Sequence, residues 1–224
     1  MEIVTKCGIG LVHESRPENQ IKHYNLTEDY ISSSVEKSLK NLHTDYLDLL
    51  LIHRPDPLMN YMEIADTFMK LKMEGKINYA GVSNFTPSQI RALQNKMDFP
   101  IITNQVQFSP LHLDPLSDGT FDLAQQLNFT PMIWSPYAGG KIFHDESQRS
   151  QRVRKTLHEL AEKYDAAVDQ IIISWVRKHP LKPIVILGTG NRDRIRGAAD
   201  ALEIELERQD WFKLLKASQG VDVP

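Results

Sequence analysis

The sequence predicts a parallel β/α barrel in shortened form, with about six of the eight βα units that such a barrel needs. Three observations carry this. Apolar runs of strand length alternate with amphipathic helical stripes along the whole chain. Two reactive side chains stand at the C-terminal ends of such runs, where barrels place their chemistry: Lys6 in Ile3-Val4-Thr5-Lys6-Cys7-Gly8, and His53 after Leu47-Asp48-Leu49-Leu50-Leu51-Ile52. The glycine-rich turn Gly-x-Gly-x-x-Gly, which an open doubly wound sheet would carry after its first strand, is absent.

Strands are expected at residues 3–6, 46–52, 77–82, 101–106, 131–134 and 183–187. Between them, Ile31, Val35, Leu39 and Leu42 repeat at helical spacing behind Thr27 as N-cap. Tyr61, Ile64, Phe68 and Leu71 form a second stripe that Gly75 stops. Thr86-Pro87-Ser88-Gln89 reads as a capping box with proline in the first turn, opening a helix through Ile90 and Leu93. Val153, Leu157 and Leu160 mark a further helix, and Val168, Ile171, Ile172, Trp175 and Val176 a more buried one. Residues 192–202 and 207–218 supply the last two. Residues 8–26 and 138–151 read as the longest irregular stretches, and residues 1–224 as one domain, an incomplete barrel.

Composition narrows the function. The 224 residues are 41% hydrophobic and 25% charged, the balance of an ordinary globular protein. A net charge of −3 leaves no electrostatic footprint for nucleic acid or an anionic membrane. The apolar runs are too short to span a bilayer, and Glu2 and Lys6 interrupt the N-terminus where a signal peptide would be apolar. The single cysteine, Cys7, allows no internal disulfide and suggests a reducing, cytoplasmic setting; it reads as a small buried residue. His53 with Asp56 lacks a second His or Cys at ligand spacing, so no metal site is expected.

Several segments together resemble the aldo-keto reductases. They are Ile3–Gly8; residues 45–56, Asp45-Tyr46 through His53-Arg54-Pro55-Asp56; Gly81-Val82-Ser83-Asn84-Phe85; Asn104-Gln105-Val106-Gln107-Phe108-Ser109; Trp134-Ser135-Pro136-Tyr137-Ala138-Gly139-Gly140; and Leu187-Gly188-Thr189-Gly190-Asn191-Arg192-Asp193-Arg194-Ile195. Six motifs in one order across the chain are far more specific than any one of them.

The resemblance implies an aldo-keto reductase (β/α)8 TIM barrel, N-terminally truncated, that moves hydride from NADP(H) to the carbonyl of a small aldehyde or ketone. Of the family's four catalytic side chains, Lys6 matches the lysine and His53 the histidine. The Asp and Tyr that the family carries before its lysine have no counterpart here, so the chain reads as a reductase without its first two βα units, with reduced activity. A downstream start, a truncation or an excerpted piece would each give this sequence. The chemistry explains the set: a tyrosine donates a proton to the nascent alkoxide well only if a nearby cation lowers its pKa, while an imidazole N–H orients the carbonyl.

By the same resemblance, Ser83, Asn84 and Gln105 hydrogen-bond the nicotinamide carboxamide, and Trp134 stacks on the ring. Ser135, Pro136, Gly139 and Gly140 belong to a loop that wraps the pyrophosphate with backbone N–H groups. Gly188, Thr189 and Gly190 lead into a helix N-terminus suited to anions, and Arg194 suits an adenosine 2′-phosphate, which favours NADP over NAD. The family's phosphate-binding lysine falls at Gly188 and its adenine contacts at Gly197 and Ala198, so the adenine end departs most from the pattern.

Plainer readings stand beside these: Lys6 as a solvated strand end, His53 and Trp134 as core, Ser83-Asn84 as a turn, Arg194 as a helix-surface charge. Trp175 and Trp211 read as core, and the basic run 149–155 as a solvated helix start. Two other functions compete, a non-catalytic NADPH-binding regulatory subunit and an unrelated phosphate-handling barrel. At full length a monomer is expected.

Overall fold

The computed structural model describes residues 1–224, which fall into two units: Met1–Gln105 with Leu127–Phe129, and Val106–Gln126 with Thr130–Pro224. In the N-terminal unit, β1 (Val4–Cys7) is followed by two short strands, β2 (Ile9–Gly10) and β3 (His23–Tyr24), then α1 (Glu28–Leu42), β4 (Leu47–Ile52), α2 (Tyr61–Met73), β5 (Ile77–Ser83), α3 (Pro87–Gln94) and β6 (Ile101–Gln107, its last two residues excepted). The long strands pair in the order β1-β4-β5-β6, and all their pairings are parallel.

The local chemistry accounts for these elements. β4 is almost wholly apolar because parallel strands under helices are buried on both faces; Leu47, Leu50, Leu51 and Ile52 are fully enclosed. Its one polar residue, Asp48, turns outward and accepts the backbone N–H of Ile3 at 2.7 Å, which fixes the entry into β1. Thr27 caps α1 through the Tyr30 N–H, and the apolar stripe Ile31, Val35 and Leu39 is buried as expected. Gly75, at φ 70°, closes α2. Thr86 and Gln89 make the anticipated reciprocal capping box.

The segment read as irregular after β1 carries β2 and β3. They form an antiparallel hairpin, Ile9 opposite Tyr24 and Gly10 opposite His23, and Tyr30 of α1 donates its hydroxyl to the Ile9 carbonyl at 2.9 Å. Two-residue strands lie below any hydrophobic periodicity, so the sequence carries no signal for them.

The C-terminal unit contains α4 (Thr120–Leu127, its last residue excepted), β7 (Met132–Trp134), α5 (Lys141–His144), α6 (Gln148–Lys163), α7 (Val168–Arg177), β8 (Ile184–Val185), α8 (Arg192–Asp200) and α9 (Arg208–Gln219). β7 and β8 pair in parallel, Met132 opposite Ile184. Two expectations change here. Residues 138–151, taken as loop, contain a 3-10 turn, α5 and the start of α6. The basic run 149–155, taken as solvated, is used for anchoring: Arg149 donates to the Ser218 hydroxyl, Arg152 to the Ala217 carbonyl and Arg154 to the Ile142 carbonyl. A guanidinium spans several acceptors at once, which is how charged residues become docking elements between helices.

The core of this unit is an aromatic stack. Phe108 lies against Trp175 at 5.1 Å, and Trp175 against Trp211 at 5.1 Å with an interplanar angle of 10°. Each indole N–H donates to the other tryptophan's backbone carbonyl at 3.0 Å, so neither buried donor is stranded. Nearby, the buried Asp210 accepts from Lys163 and from the Tyr164 hydroxyl, both at 2.6 Å.

Two stability predictions follow from these contacts. A Cβ on Gly81 of β5 would stand 2.6 Å from Leu51 Cδ2, 2.8 Å from Thr103 Cγ2 and 3.0 Å from the Thr103 carbonyl oxygen, so neighbouring strands would have to move. Gly81→Ala should cost about 1–3 kcal/mol, read as a lower urea midpoint; an unchanged midpoint would contradict the packing. Burial pushes the Asp210 carboxyl up, but the hydrogen bonds from Lys163 and Tyr164 outweigh it and hold the group below its ordinary value. A depressed carboxyl stabilises above the unfolded value near pH ~4 and loses that contribution as pH falls through the folded value. Asp210→Asn should therefore destabilise by about 1–2 kcal/mol at pH 7 and flatten the acid limb of a stability-versus-pH curve.

Candidate active site

Five of the singled-out side chains lie in the N-terminal unit, at the C-terminal ends of its strands. Lys6 is the third residue of β1, and His53 follows β4 directly. Ser83 is the last residue of β5, Asn84 follows it, and Gln105 sits two residues before the end of β6. The parallel register sets Lys6 opposite Leu51 and Cys7 opposite Ile52, and the His53 N–H continues the ladder to the Cys7 carbonyl at 2.9 Å. Lys6 and His53 thus emerge from adjacent strands and line one cleft of about 630 Å³.

Hydrogen bonds tie the group together. Lys6 Nζ donates to Gln105 Oε1 at 2.9 Å. The Gln105 backbone carbonyl accepts the Ser83 hydroxyl at 2.8 Å and the Asn84 backbone N–H at 3.0 Å. Asn84 Nδ2 in turn donates to Ser83 Oγ at 2.7 Å, and Asn84 takes a left-handed backbone, φ 59°. Asparagine tolerates that conformation better than most residues, and it lets the chain leave β5 sharply with the side-chain amide still facing the strand ends.

Burial tunes the ionisable groups. Desolvation draws the Lys6 ammonium below the ordinary lysine value. Desolvation first, and then the charges of Lys6, Arg54 and Lys22, draws His53 below the ordinary histidine value, so at pH 7 it is a neutral imidazole with one N–H to give. Cys7 beside them is enclosed and its thiol is pushed up to about 12, which makes it inert, as a small core residue should be. Asp56 is buried and its Oδ1 accepts the Leu58 N–H at 2.8 Å, closing the turn after His53.

Asn104 lies in one of the six motifs, where sequence reasoning gave it no role. It is wholly enclosed, and its side chain clamps Phe85, donating to the Phe85 carbonyl at 2.9 Å and accepting its N–H at 3.4 Å. It holds the turn that presents Ser83 and Asn84. An asparagine inside a strand run, where a β-branched residue is the norm, was the available signal.

The remaining residues lie in the C-terminal unit. Trp134 ends β7 and is half-buried. The loop after it is backbone-strained: Ser135, Ala138, Gly139 and Gly140 all have positive φ, at 55°, 52°, 66° and 88°. Pro136 is buried within it. Side chains added at Gly139 would meet nothing, so this glycine answers a backbone demand rather than a spatial one. Gly188 and Gly190 differ: neither has positive φ, and open space surrounds both. Thr189 accepts the Asn191 N–H through its hydroxyl at 3.2 Å. Asn191 caps α8 through the N–H groups of Asp193 and Arg194, at 2.9 and 3.1 Å. Two donors expected to face an anion are therefore already engaged, and the exposed side chains of Arg192 and Arg194 are the cations that this helix end presents.

Comparison with known proteins identifies the family. The model for the aldo/keto reductase family matches residues 1–218. The chain is 47% identical to oxidoreductase YdhF of Escherichia coli strain K12, over all of this chain and 74% of that protein. It is 39% identical to the 6-dehydroglucose reductase of Agrobacterium fabrum, over all of this chain and 74% of that one. The crystal structure of the thermostable aldo-keto reductase Tm1743 with the inhibitor epalrestat superposes with a TM-score of 0.78 at 30% identity, covering 86% of this chain and 67% of that one. These matches remove the reading of an unrelated phosphate-handling barrel. With a family model over nearly its whole length, the chain belongs to the aldo/keto reductase family of oxidoreductases.

Proposed function

We propose that the chain binds NADP(H) and reduces the carbonyl of a small aldehyde or ketone. The observation that carries this is the pairing of Lys6 with the neutral, half-buried His53 on adjacent strand ends in one cleft. Toward the nucleotide, the N-terminal unit offers the polar cluster Ser83, Asn84 and Gln105, whose amides suit a carboxamide. The C-terminal unit offers the flat face of Trp134, the left-handed loop of Ser135, Pro136, Gly139 and Gly140, and the segment Gly188, Thr189, Gly190 with Arg194. In that loop the Ala138 and Gly140 N–H groups close turns onto the Ser135 and Tyr137 carbonyls at 2.9 Å, so what the left-handed backbone offers a pyrophosphate is close approach rather than a row of free donors. A bound nicotinamide supplies the hydride.

The protein's own residues divide the remaining work. His53, neutral, donates its N–H to the carbonyl oxygen and fixes which face is attacked. Lys6 holds a positive charge beside that oxygen, and its bond to Gln105 sets the direction of the ammonium. In the family pattern, Lys6 also lowers the pKa of a tyrosine that protonates the alkoxide. These 224 residues hold no match to that tyrosine or its aspartate. Tyr30, in the same cleft, has its hydroxyl committed to the Ile9 carbonyl. Tyr137 is pushed up to about 12, first by burial and then by Asp169, and is a poor donor. We therefore read the chain as binding its cofactor while turning over slowly.

NADPH should bind more tightly than NADH, and Arg194→Ala should erase about tenfold or more of that preference, the value of a charge-assisted contact of roughly 1.5–3 kcal/mol. Equal affinities in the parent chain, by calorimetry, would take Arg194 out of the site. Rates of NADPH oxidation with a small aldehyde should lie about 10²–10⁴ below those of the same chain extended by a family segment bearing the Asp and Tyr. In the extended protein, Lys6→Met should lower kcat far more than it weakens NADPH. Ordinary turnover by the 224 residues alone would mean that another cleft residue, Tyr24 first, donates the proton.

A further inference from the structure

The cleft that holds Lys6 and His53 is lined by five cationic side chains, Lys6, Arg16, Lys22, Lys37 and Arg54, and by no Asp or Glu. This concentration is local, since the whole chain carries a net charge of −3. Three structural elements contribute. Arg16 and Lys22 come from the loop that the β2–β3 hairpin closes, Lys37 from α1, and Lys6 and Arg54 from the strand ends. Glu14 and Glu18 belong to the same loop, yet neither lines the cleft. The field of these cations reaches the candidate carbonyl-orienting group, because Lys6, Arg54 and Lys22 all press the His53 imidazole toward its neutral form.

We propose that this cleft selects carbonyl substrates that carry an anionic group, a carboxylate or phosphate, a few atoms from the carbonyl. The inference rests on the reading of Lys6 and His53 given above and adds the substrate class. A volume of about 630 Å³ takes a small molecule whole. A neutral ligand gains nothing from this excess of cations, whereas an anion is attracted by all of them and makes charge-assisted hydrogen bonds to those it reaches. Lys6 and His53 meet the carbonyl end, and Arg16 and Lys22 the anionic end. The hairpin, pinned by Tyr30, sets the distance between the two.

The test compares two five-carbon ketones of the same shape, 4-oxopentanoate and 2-pentanone, binding to the 224-residue chain by ligand-observed NMR. The anionic ketone should bind about tenfold or more tightly, and 0.5 M salt should remove most of the difference. The double variant Arg16→Gln/Lys22→Gln should weaken 4-oxopentanoate about fivefold and leave 2-pentanone unchanged. Lys37→Gln, an exposed helix-surface change, gives a smaller loss in the same direction, with unaltered melting in both variants. Equal binding of the two ketones, indifference to Arg16→Gln/Lys22→Gln, or acetate binding as tightly as 4-oxopentanoate would each overturn the proposal. NADPH titrated into the same samples separates the two readings. Nucleotide binding without anion preference sinks only this inference, whereas no nucleotide binding sinks the reductase reading itself.

Discussion

Gln105 is the joint on which the N-terminal site depends. Its backbone carbonyl receives Ser83 and Asn84 from the end of β5, and its side-chain oxygen receives Lys6 from β1. One residue on β6 therefore fixes groups from two other strands, with two kinds of acceptor and no charge of its own. The neutrality matters. A carboxylate at this position would hold Lys6 in a fixed ion pair and spend the cation's field on the protein itself, whereas an amide oxygen orients the ammonium and leaves its charge to act on its surroundings. Asn104, one position earlier, clamps Phe85 and keeps the turn in place.

Desolvation is the second constraint, and it acts selectively. At the same strand ends it silences Cys7, lowers Lys6 and leaves His53 neutral. For His53 the neighbouring cations push in the same direction as burial, which makes its neutral state robust. In the C-terminal unit the balance runs the other way. Asp210 is buried too, yet its hydrogen-bond donors outweigh the cost and keep it ionised. For Cys7 and Lys6 burial acts unopposed, whereas for Asp210 the hydrogen bonds from Lys163 and Tyr164 reverse it.

The long elements were legible because one physical rule governs each. β4 is a continuous apolar run, as a strand covered on both faces must be, and α1, α2 and α3 announce themselves through caps and apolar stripes. The positions of Lys6, His53, Ser83, Gln105 and Trp134 at strand ends followed from those runs. What escaped the sequence was short or tertiary. The β2–β3 hairpin and α5 are too brief for periodicity, and α4 lies in a stretch whose helical stripe went unmarked. Arg149 and Arg152 find a hydroxyl and a carbonyl that lie far along the chain, so their anchoring could not be read locally. The cationic lining of the cleft has the same origin, since Arg16, Lys22 and Lys37 meet only once the hairpin and α1 are in place.

The central claim is that the cluster Lys6, His53, Ser83, Asn84 and Gln105 is the working surface of the N-terminal unit. Side-chain amide resonances of Asn84 and Gln105, followed by ¹H–¹⁵N NMR while NADPH is titrated into the chain, test it most directly. The account predicts that both amides shift saturably, with the same midpoint as the quenching of tryptophan fluorescence. Saturable quenching by NADPH with both amides unmoved would contradict it.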